Sequence, residues 1–271
     1  MPEQFTAEFE RIRPQLRAYI LRMTASVADT EDIVQDTWIK ASQNIDGFQG
    51  HSSLKTWLFA IASNLAKDQL RRKKRWTEDC TDICRQAALG NRAFFEEAMH
   101  IRQHSPQGRF EIREHIAFCF TCIAKSLPLE QQLVLLLKEV YHFKTREIAD
   151  IMDNSEAMIK YYLHTGRSKM IDIFDRRCAL INKEGVCHQC TELNGIFNPK
   201  QNAQIELVKI DMAREAGNQD KAALFELRMQ VVRQIDPFES DAAALQLHHL
   251  EHNRKVMEAY LDNKPAAPGE E

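Results

Sequence analysis

Thiol side chains offer the most distinctive chemistry in this chain. Seven of the 271 residues are cysteines, and two of them are the first and last residues of the motif Cys187-His188-Gln189-Cys190. Two thiolates separated by two residues can bind one tetrahedral zinc ion, which then needs two further ligands from elsewhere in the chain. The motif therefore predicts one half of a metal site.

The second half of that site has one main candidate. Cys119 and Cys122 have the same spacing, and Cys178 or His188 are the substitutes. Cys119 falls on an apolar helical stripe, where cysteine commonly acts as a small hydrophobe. Two interpretations therefore stay open, a structural zinc held by the two cysteine pairs or reduced thiols with a structural or redox role.

Concentrated positive charge is the second chemical feature. Residues 71–75 are five consecutive Arg and Lys residues, and they follow a stretch whose apolar side chains recur with the period of an α-helix. The pattern predicts one helix over 54–75 that packs by one face and presents cations to a nucleic-acid backbone. A solvated basic helix end is the plainer interpretation. The predicted buried stripe is Leu54, Trp57, Leu58, Ile61, Ala62 and Leu65.

The segment before this helix predicts a second amphipathic helix, over 29–45. Asp29 or Thr30 is its predicted N-cap. The loop at 46–53 is rich in glycine and small polar residues and carries one aromatic side chain, Phe48. The predicted order is helix, polar loop, helix and basic terminus.

Residues 111–178 predict a helical unit that contains a helix-turn-helix. Thr145 is the predicted cap of a short helix that ends at Met152, and Ser155 is the predicted cap of a longer one. In such motifs the second helix enters the major groove of DNA. Its predicted exposed face consists of Ala157, Tyr161, His164 and Ser168, with Lys160 and Thr165 beside them.

Charge and hydropathy exclude several classes of protein. Residues 1–75 hold 12 Lys and Arg against 9 Asp and Glu, whereas residues 178–271 hold 10 against 15. So small a basic excess favours a DNA-binding protein that needs a partner to hold it on DNA. No apolar run approaches the length of a membrane span and no signal peptide is visible, so we expect a cytoplasmic protein that does not contact a membrane. No phosphate-binding glycine loop or nucleophile motif is present, so we expect no enzymatic activity.

The segment after residue 178 predicts an acidic helical extension. Helices are expected at about 200–216, 219–234 and 240–262. His248, His249 and His252 are interpreted as part of an exposed polar helix face. Our hypothesis is that the extension is regulatory, either covering the basic surface or contacting a partner.

Three stretches, 29–41, 48–75 and 126–153, resemble bacterial RNA polymerase sigma factors of the extracytoplasmic-function group. The resemblance covers about residues 5–177. It implies an all-α fold with two small helical domains joined by a linker, the second a helix-turn-helix domain, followed by a helical C-terminal extension. The implied boundaries are 1–75, 76–110, 111–178 and 179–271.

The resemblance also implies a function. Such a chain binds core RNA polymerase and directs promoter-specific initiation, reading the minus ten element with its first domain and the minus thirty-five element with its second. No cofactor is required, and an anti-sigma factor is a further partner that the resemblance admits. A helix-turn-helix regulator that acts without polymerase and a helical adaptor that does not bind DNA are the alternatives.

Site residues follow from the same resemblance. Packing in the core is the favoured interpretation for the rings of Trp38 and Trp57, and the second helix of the helix-turn-helix has fewer arginines than the family pattern. The residues implied to bind polymerase are Asp32, Gln35, Asp36 and Trp38. The residues implied to bind DNA are Phe48, Gln49, His51, Ser52, Ser53, Lys55, Asn64, Lys67, Arg71 and Arg72 in the first domain, and Ala157, Lys160, Tyr161, His164 and Arg167 in the second.

Overall fold

The computed structural model describes residues 2–201 and 209–264. This part of the chain is all-α, as predicted, and its one β-type pairing is an isolated bridge between Cys178 and Cys187. None of its helices is both long and apolar enough to cross a membrane. The helices are α1 Pro2–Thr24, α2 Val27–Asn44, α3 Leu54–Leu70, α4 Cys80–Leu89, α5 Arg92–His104, α6 Ile112–Ala124, α7 Leu129–Leu135, α8 Thr145–Met152, α9 Glu156–Arg177, α10 Gln189–Phe197, α11 Asp211–Arg214, α12 Lys221–Gln234 and α13 Ala243–Asn263.

The first unit consists of α1, α2 and α3 packed side by side. The predicted N-cap of α2 is wrong, because Ser26 occupies that position and its hydroxyl accepts a hydrogen bond from the Asp29 N–H at 3.2 Å. Ala25 before it has a φ of +57°, a left-handed conformation that turns the chain from α1 into α2. The sequence pattern alone did not reveal this tight turn.

The helix α3 is shorter than predicted, and its buried face agrees with the predicted stripe only in part, since Leu58 and Ala62 are fully buried. It ends at Leu70, so the basic run follows the helix rather than closing it. Its fully buried face includes Phe59 and Ala66, whereas Trp57 and Leu54 are only partly buried. The difference arises because α8 and the segment before it cover α3 from a second side, with the rings of Phe59 and Phe143 4.9 Å apart.

The segment predicted as a linker, 76–110, is folded. It forms two helices, α4 and α5, and α4 packs against α6 and the C-terminal helix α13. Cys80 and Cys84 of α4 are buried there. The segment therefore belongs to the packed body of the protein.

The second unit consists of α6 to α9, with a turn of π-helix at Leu136–Val140 after α7. Ser155 caps α9 as predicted, its hydroxyl accepting a hydrogen bond from the Met158 N–H. The predicted cap of α8 is wrong by one residue, since Lys144 precedes the helix and its N–H donates to Glu147 at 2.7 Å. The turn between α8 and α9 contains Asp153 with a φ of +49°.

The C-terminal extension contributes to the same hydrophobic core as both units. Phe225, Met229 and Val232 of α12 and Leu250 of α13 are buried in the cluster that contains residues from α1 to α4 and from α6 to α9. The helices expected at 219–234 and 240–262 correspond to α12 and α13. The helix expected at 200–216 lies partly outside the described residues, and its described part contains only the short α11.

Candidate polymerase and promoter interface

One exposed acidic edge runs along α2. Asp32, Gln35 and Asp36 are exposed on the face opposite the buried residues Ile33 and Thr37. Among the described residues, neither Asp32 nor Asp36 forms an ion pair. Two carboxylates one helical turn apart form an edge suited to a basic partner surface.

Trp38 lies beside this edge, but its ring packs against α1. The indole stacks on Phe5 with ring centroids 5.2 Å apart and meets the edge of Phe9 at 4.9 Å. The predicted core packing of this ring agrees with the geometry. Its inclusion among polymerase contacts receives no support from the ring's position.

The loop between α2 and α3 carries the predicted base-reading residues. Phe48 is half-buried, and its ring lies 5.1 Å from that of Trp57. His51 and Gln49 are exposed and hydrogen-bonded to each other at 2.9 Å. Ser53 caps α3 by accepting from the Thr56 N–H, which gives its hydroxyl a structural task in addition to any contact with DNA.

Ser52 and the polar and basic residues within and after α3 differ in exposure. Ser52 is half-buried, while Asn64, Arg71 and Arg72 are exposed. Lys55 instead points toward the second unit, with its Nζ 5.0 Å from the centre of the Phe143 ring. Burial lowers the pKa of both Lys55 and Lys67.

Three residues of the basic run are anchored to the rest of the protein. Lys73 lies 2.8 Å from Asp29 and 3.8 Å from Glu258 of α13. Lys74 donates to the backbone oxygen of Leu261 at 2.8 Å. Arg75 donates to the backbone oxygen of Leu127 at 2.7 Å, and burial lowers its pKa to about 10. The sequence did not indicate these tasks, because a run of cations looks the same whether it is solvated or docked.

The start of α9 presents the predicted DNA-reading face. Ala157, Lys160, Tyr161 and His164 are exposed, and Tyr161 keeps 57% of its surface accessible. Such an arrangement allows side chains to approach base edges and phosphates.

Arg167, one turn further along α9, faces the protein instead. Its Nη1 lies 3.2 Å from the carboxylate of Glu139, and its guanidinium lies 5.5 Å from the centre of the Phe225 ring of α12. It is therefore not free to contact DNA in this arrangement.

A buried polar junction joins the two units, and sequence reasoning missed it. Lys125 at the end of α6 donates from Nζ to the backbone oxygen of Thr24 at 2.9 Å. Gln132 of α7 donates to the backbone oxygen of Arg22 at 3.0 Å. Burial lowers the pKa of Lys125 to about 7. These residues satisfy the carbonyl groups at the end of α1, which would otherwise lack partners.

The cysteines form two groups, which differ from the predicted pairing. Cys122 lies with Cys80 and Cys84 of α4, and its sulfur accepts a hydrogen bond from Asn253 at 3.8 Å. The second group consists of Cys119, Cys178, Cys187 and Cys190, which border one cavity. Cys122 is therefore not a partner of the Cys187 motif, although it is only three residues from Cys119. Within the described residues no three ligand groups are placed to hold a metal ion.

The histidines of α13 are packed, contrary to the expectation of an exposed face. His248 and His252 stack on Phe94 of α5 with ring centroids 4.8 and 4.1 Å apart. His249 is buried, and desolvation lowers its pKa to about 3. The extension thus packs against α5 through aromatic rings, an interface that its polar composition did not indicate.

Comparisons with known proteins agree with this geometry. A family profile described as Sigma-70 region 2 matches residues 9–76, and one described as Sigma-70, region 4 matches residues 117–170. The first contains α2, α3 and the loop between them, and the second contains α7 and α8 with most of α6 and α9.

Curated relatives and solved structures match the same part of the chain. The ECF RNA polymerase sigma factor SigG of Mycobacterium tuberculosis is 32% identical over 176 residues, which are 61% of this chain and 47% of SigG. The chain thus spans about half the length of that relative. The ECF RNA polymerase sigma-E factor of Haemophilus influenzae is 31% identical over 137 residues, which are 50% of this chain and 69% of that protein. The sigma factor RpoE of Bartonella quintana, solved in complex with the anti-sigma factor NepR, matches with a TM-score of 0.42 and 22% identity, over 64% of this chain and 97% of RpoE.

Proposed function

Because this chain belongs to the ECF group of the sigma-70 family of RNA polymerase sigma factors, we propose that it binds core RNA polymerase and directs promoter-specific transcription initiation. The first unit would read the minus ten element and the second the minus thirty-five element. Members of this family are regulatory proteins, and the chemistry of transcription would belong to the polymerase. Its place of action would be the cytoplasm, where polymerase and chromosome meet.

One observation carries the proposal. The chain presents two separate surfaces that we propose read DNA, the loop at 46–53 and the start of α9, together with the acidic edge of α2. A regulator that binds an operator without polymerase has no need for the loop or the acidic edge. A helical adaptor has no need for either DNA-reading surface.

Each surface has a distinct proposed role. Asp32, Gln35 and Asp36 contact basic residues of core polymerase. Phe48 and the polar side chains beside it hold an unstacked base of the melted minus ten element, a task that requires stacking and edge hydrogen bonds. Lys160 and its exposed neighbours on α9 contact the minus thirty-five element.

The packed arrangement supports a further step before promoter binding. The two promoter elements are separated by about 25 base pairs, or about 85 Å at roughly 3.4 Å per base pair. In the structure the units are in direct contact, with the rings of Phe59 and Phe143 4.9 Å apart. One molecule in this arrangement cannot span both elements, so we propose that binding to core polymerase separates the two units.

The C-terminal extension supports the regulatory role suggested by its charge. Glu258 of α13 lies 3.8 Å from Lys73, and Glu226 of α12 lies 4.0 Å from Arg167. These contacts engage cations from both units. We propose that the extension favours the closed arrangement until core polymerase, or another partner, displaces it.

The test is transcription in vitro with purified core polymerase, on a promoter found by mapping start sites after overexpression. Initiation at that promoter only when the chain is added is the expected result. The double variant Asp32→Ala and Asp36→Ala should lose most of this activity and its affinity for core. Asp262→Ala, which removes an exposed carboxylate of the extension, is the matched control and should retain both. Tight binding to an operator without core, with no initiation in its presence, would instead identify a regulator.

A further inference from the structure

Four cysteines from separate segments border one cavity in the second unit. Cys119 belongs to α6, Cys178 follows α9, and Cys187 and Cys190 flank the start of α10. The cavity measures about 30 Å³, which is enough for a water molecule or an ion. Arg228 of α12 also borders it.

The backbone holds two of these cysteines side by side. Residues 178 and 187 form the isolated β-bridge, with the Ala179 N–H donating to the Cys187 oxygen at 3.2 Å and the Cys187 N–H donating to the Arg177 oxygen at 2.8 Å. A side chain at Gly185 would lie 2.7 Å from the backbone carbon of Cys178. Glycine therefore permits the close turn that returns the chain to the end of α9.

Arg228 places a buried positive charge beside this cavity without a paired carboxylate among the described residues. The residue is 1% exposed, and its Nη2 lies 3.3 Å from the sulfur of Cys178. Its Nε has no hydrogen-bond partner among the described residues, and no described carboxylate forms an ion pair with it. Phe174 covers one face of the guanidinium, 3.7 Å away. A buried cation normally requires a buried anion.

Protonated thiols do not provide that anion. The cysteines that border the cavity bind metal ions only as thiolates. A zinc ion would bind them as thiolates, and four thiolates around one Zn²⁺ leave a net negative charge beside the arginine. Hydrogen bonds from an outer group to the coordinating atoms are a regular feature of such centres.

We propose that Cys119, Cys178, Cys187 and Cys190 bind a structural zinc ion, and that Arg228 balances its charge through N–H···S hydrogen bonds. Among the described residues, the side chains as they stand do not form a ready metal site. A change of one cysteine rotamer moves its sulfur by about 3 Å, and metal binding provides the free energy for such adjustments. The bound ion would tie α10 to α6 and α9, and so fix the start of the extension to the helix-turn-helix unit.

The test measures zinc directly and does not depend on transcription. The full-length chain, purified without chelating resin from zinc-supplemented cells, should contain about one zinc per chain. Cys178→Ser and Cys187→Ser should each lose most of it. Cys122→Ser and Cys80→Ser are the matched controls, because they alter buried cysteines outside the site, and should keep the metal.

Two further measurements protect against misfolded variants. When Co²⁺ is added to wild-type protein stripped of metal, the thiolate-to-cobalt charge-transfer absorption of a four-sulfur site should appear. The Arg228→Met variant should bind Co²⁺ at least several-fold more weakly than the wild type, while its helical circular dichroism is retained. Wild-type protein without zinc would overturn the proposal. So would a Cys178–Cys187 disulfide in the metal-free protein purified under anaerobic conditions, or retention of zinc by Cys187→Ser.

Discussion

Arg22 on the first helix donates a hydrogen bond of 2.7 Å to the backbone oxygen of Ile235, 213 residues further along the chain. The same guanidinium donates to the Tyr141 hydroxyl at 2.9 Å. One buried side chain thus joins the first unit, the second unit and the extension. Its partners explain why the three parts form one body in this structure.

Replacement of Arg22 by methionine should destabilise the protein. The change leaves backbone carbonyls without donors and removes hydrogen bonds of a charged group, so we expect the free energy of unfolding to fall by about 2–4 kcal/mol. Urea denaturation followed by circular dichroism measures it. Arg92→Ala, which removes an exposed arginine from α5, should change the value by no more than about 0.5 kcal/mol. Equal effects of the two variants would remove Arg22 from this role.

Charge reversal in the extension should favour the open arrangement. Glu226→Lys with Glu258→Lys replaces two carboxylates that face cations of the two sigma regions, and each lost pair contributes about 1 kcal/mol at most. We expect binding to core polymerase to tighten by up to about thirtyfold, as measured by fluorescence anisotropy. Glu239→Lys makes the same kind of change at an exposed position and should leave the affinity near the wild-type value. Unchanged or weaker binding by the double variant would argue against an inhibitory extension.

Phe48 should act in promoter melting. A stacked base contributes about 1–3 kcal/mol, so Phe48→Ala should reduce formation of the open complex by about tenfold or more. Permanganate reactivity of the minus ten region reports the melted bases. A template with that region already unpaired should restore initiation, whereas Leu89→Ala, which removes an exposed aliphatic side chain, should need no such template. Failure of the unpaired template to rescue Phe48→Ala would assign the residue another task.

Lys160 should contribute a phosphate contact rather than base recognition. Lys160→Ala is expected to weaken holoenzyme binding to different promoters by a similar factor, and to reduce the slope of log affinity against log salt by about 1. Lys183→Ala removes one positive charge from an exposed loop position outside α9 and serves as the control. A loss confined to one promoter sequence would instead indicate contact with a base.

Two buried imidazoles should make the free energy of unfolding decrease at acidic pH. Desolvation lowers the pKa of His115 to about 4 and that of His249 to about 3, below the ordinary value of 6.5. The unfolded chain therefore binds more protons between pH 6.5 and these values, so stability is complete above pH 6.5 and decreases as the pH falls through this window. His115 alone accounts for about 3 kcal/mol of this change.

The same experiment on variants identifies the source of the acid effect. The free energy of unfolding from urea titrations at a series of pH values should fall less steeply below pH 6.5 in His249→Phe than in the wild type. His100→Gln, at an exposed position of α5, should retain the wild-type slope. An unaltered slope in His249→Phe would locate the acid sensitivity elsewhere.

The sequence predicted those elements whose signals are local. The helical period located α2, α3 and α9. The pattern of a hydroxyl residue before a helix identified Ser155 as a cap but placed the cap of α8 one residue too late. The role of Ser26 as the N-cap of α2 was not predicted, since nothing in the sequence indicates that Ala25 before it adopts a left-handed backbone conformation. The burial of Phe59 depends on α8, which comes 86 residues later in the chain, and the separation of Cys122 from Cys119 depends on α4 and α13. The burial of Phe59 and the grouping of the cysteines were mispredicted because both depend on contacts between segments that are distant in the sequence.

The proposed surfaces were predictable to different degrees. Asp32, Gln35 and Asp36 lie on one exposed edge, as helical geometry alone requires. Arg167 and Lys55 have the same types of side chain as free DNA-binding cations, and only their tertiary neighbours show that they face the protein. A sequence pattern therefore predicts the helix face on which a residue lies more reliably than it predicts the partner that the residue contacts.

The shared core also has a consequence for synthesis. The helices α12 and α13, which pack across both sigma regions, leave the ribosome after those regions do. During that interval the nascent chain has its acidic edge, its loop and its helix-turn-helix, but not the two helices that pack against both regions. Any restraint by the extension therefore begins only late in translation, and core polymerase can compete with it from the start.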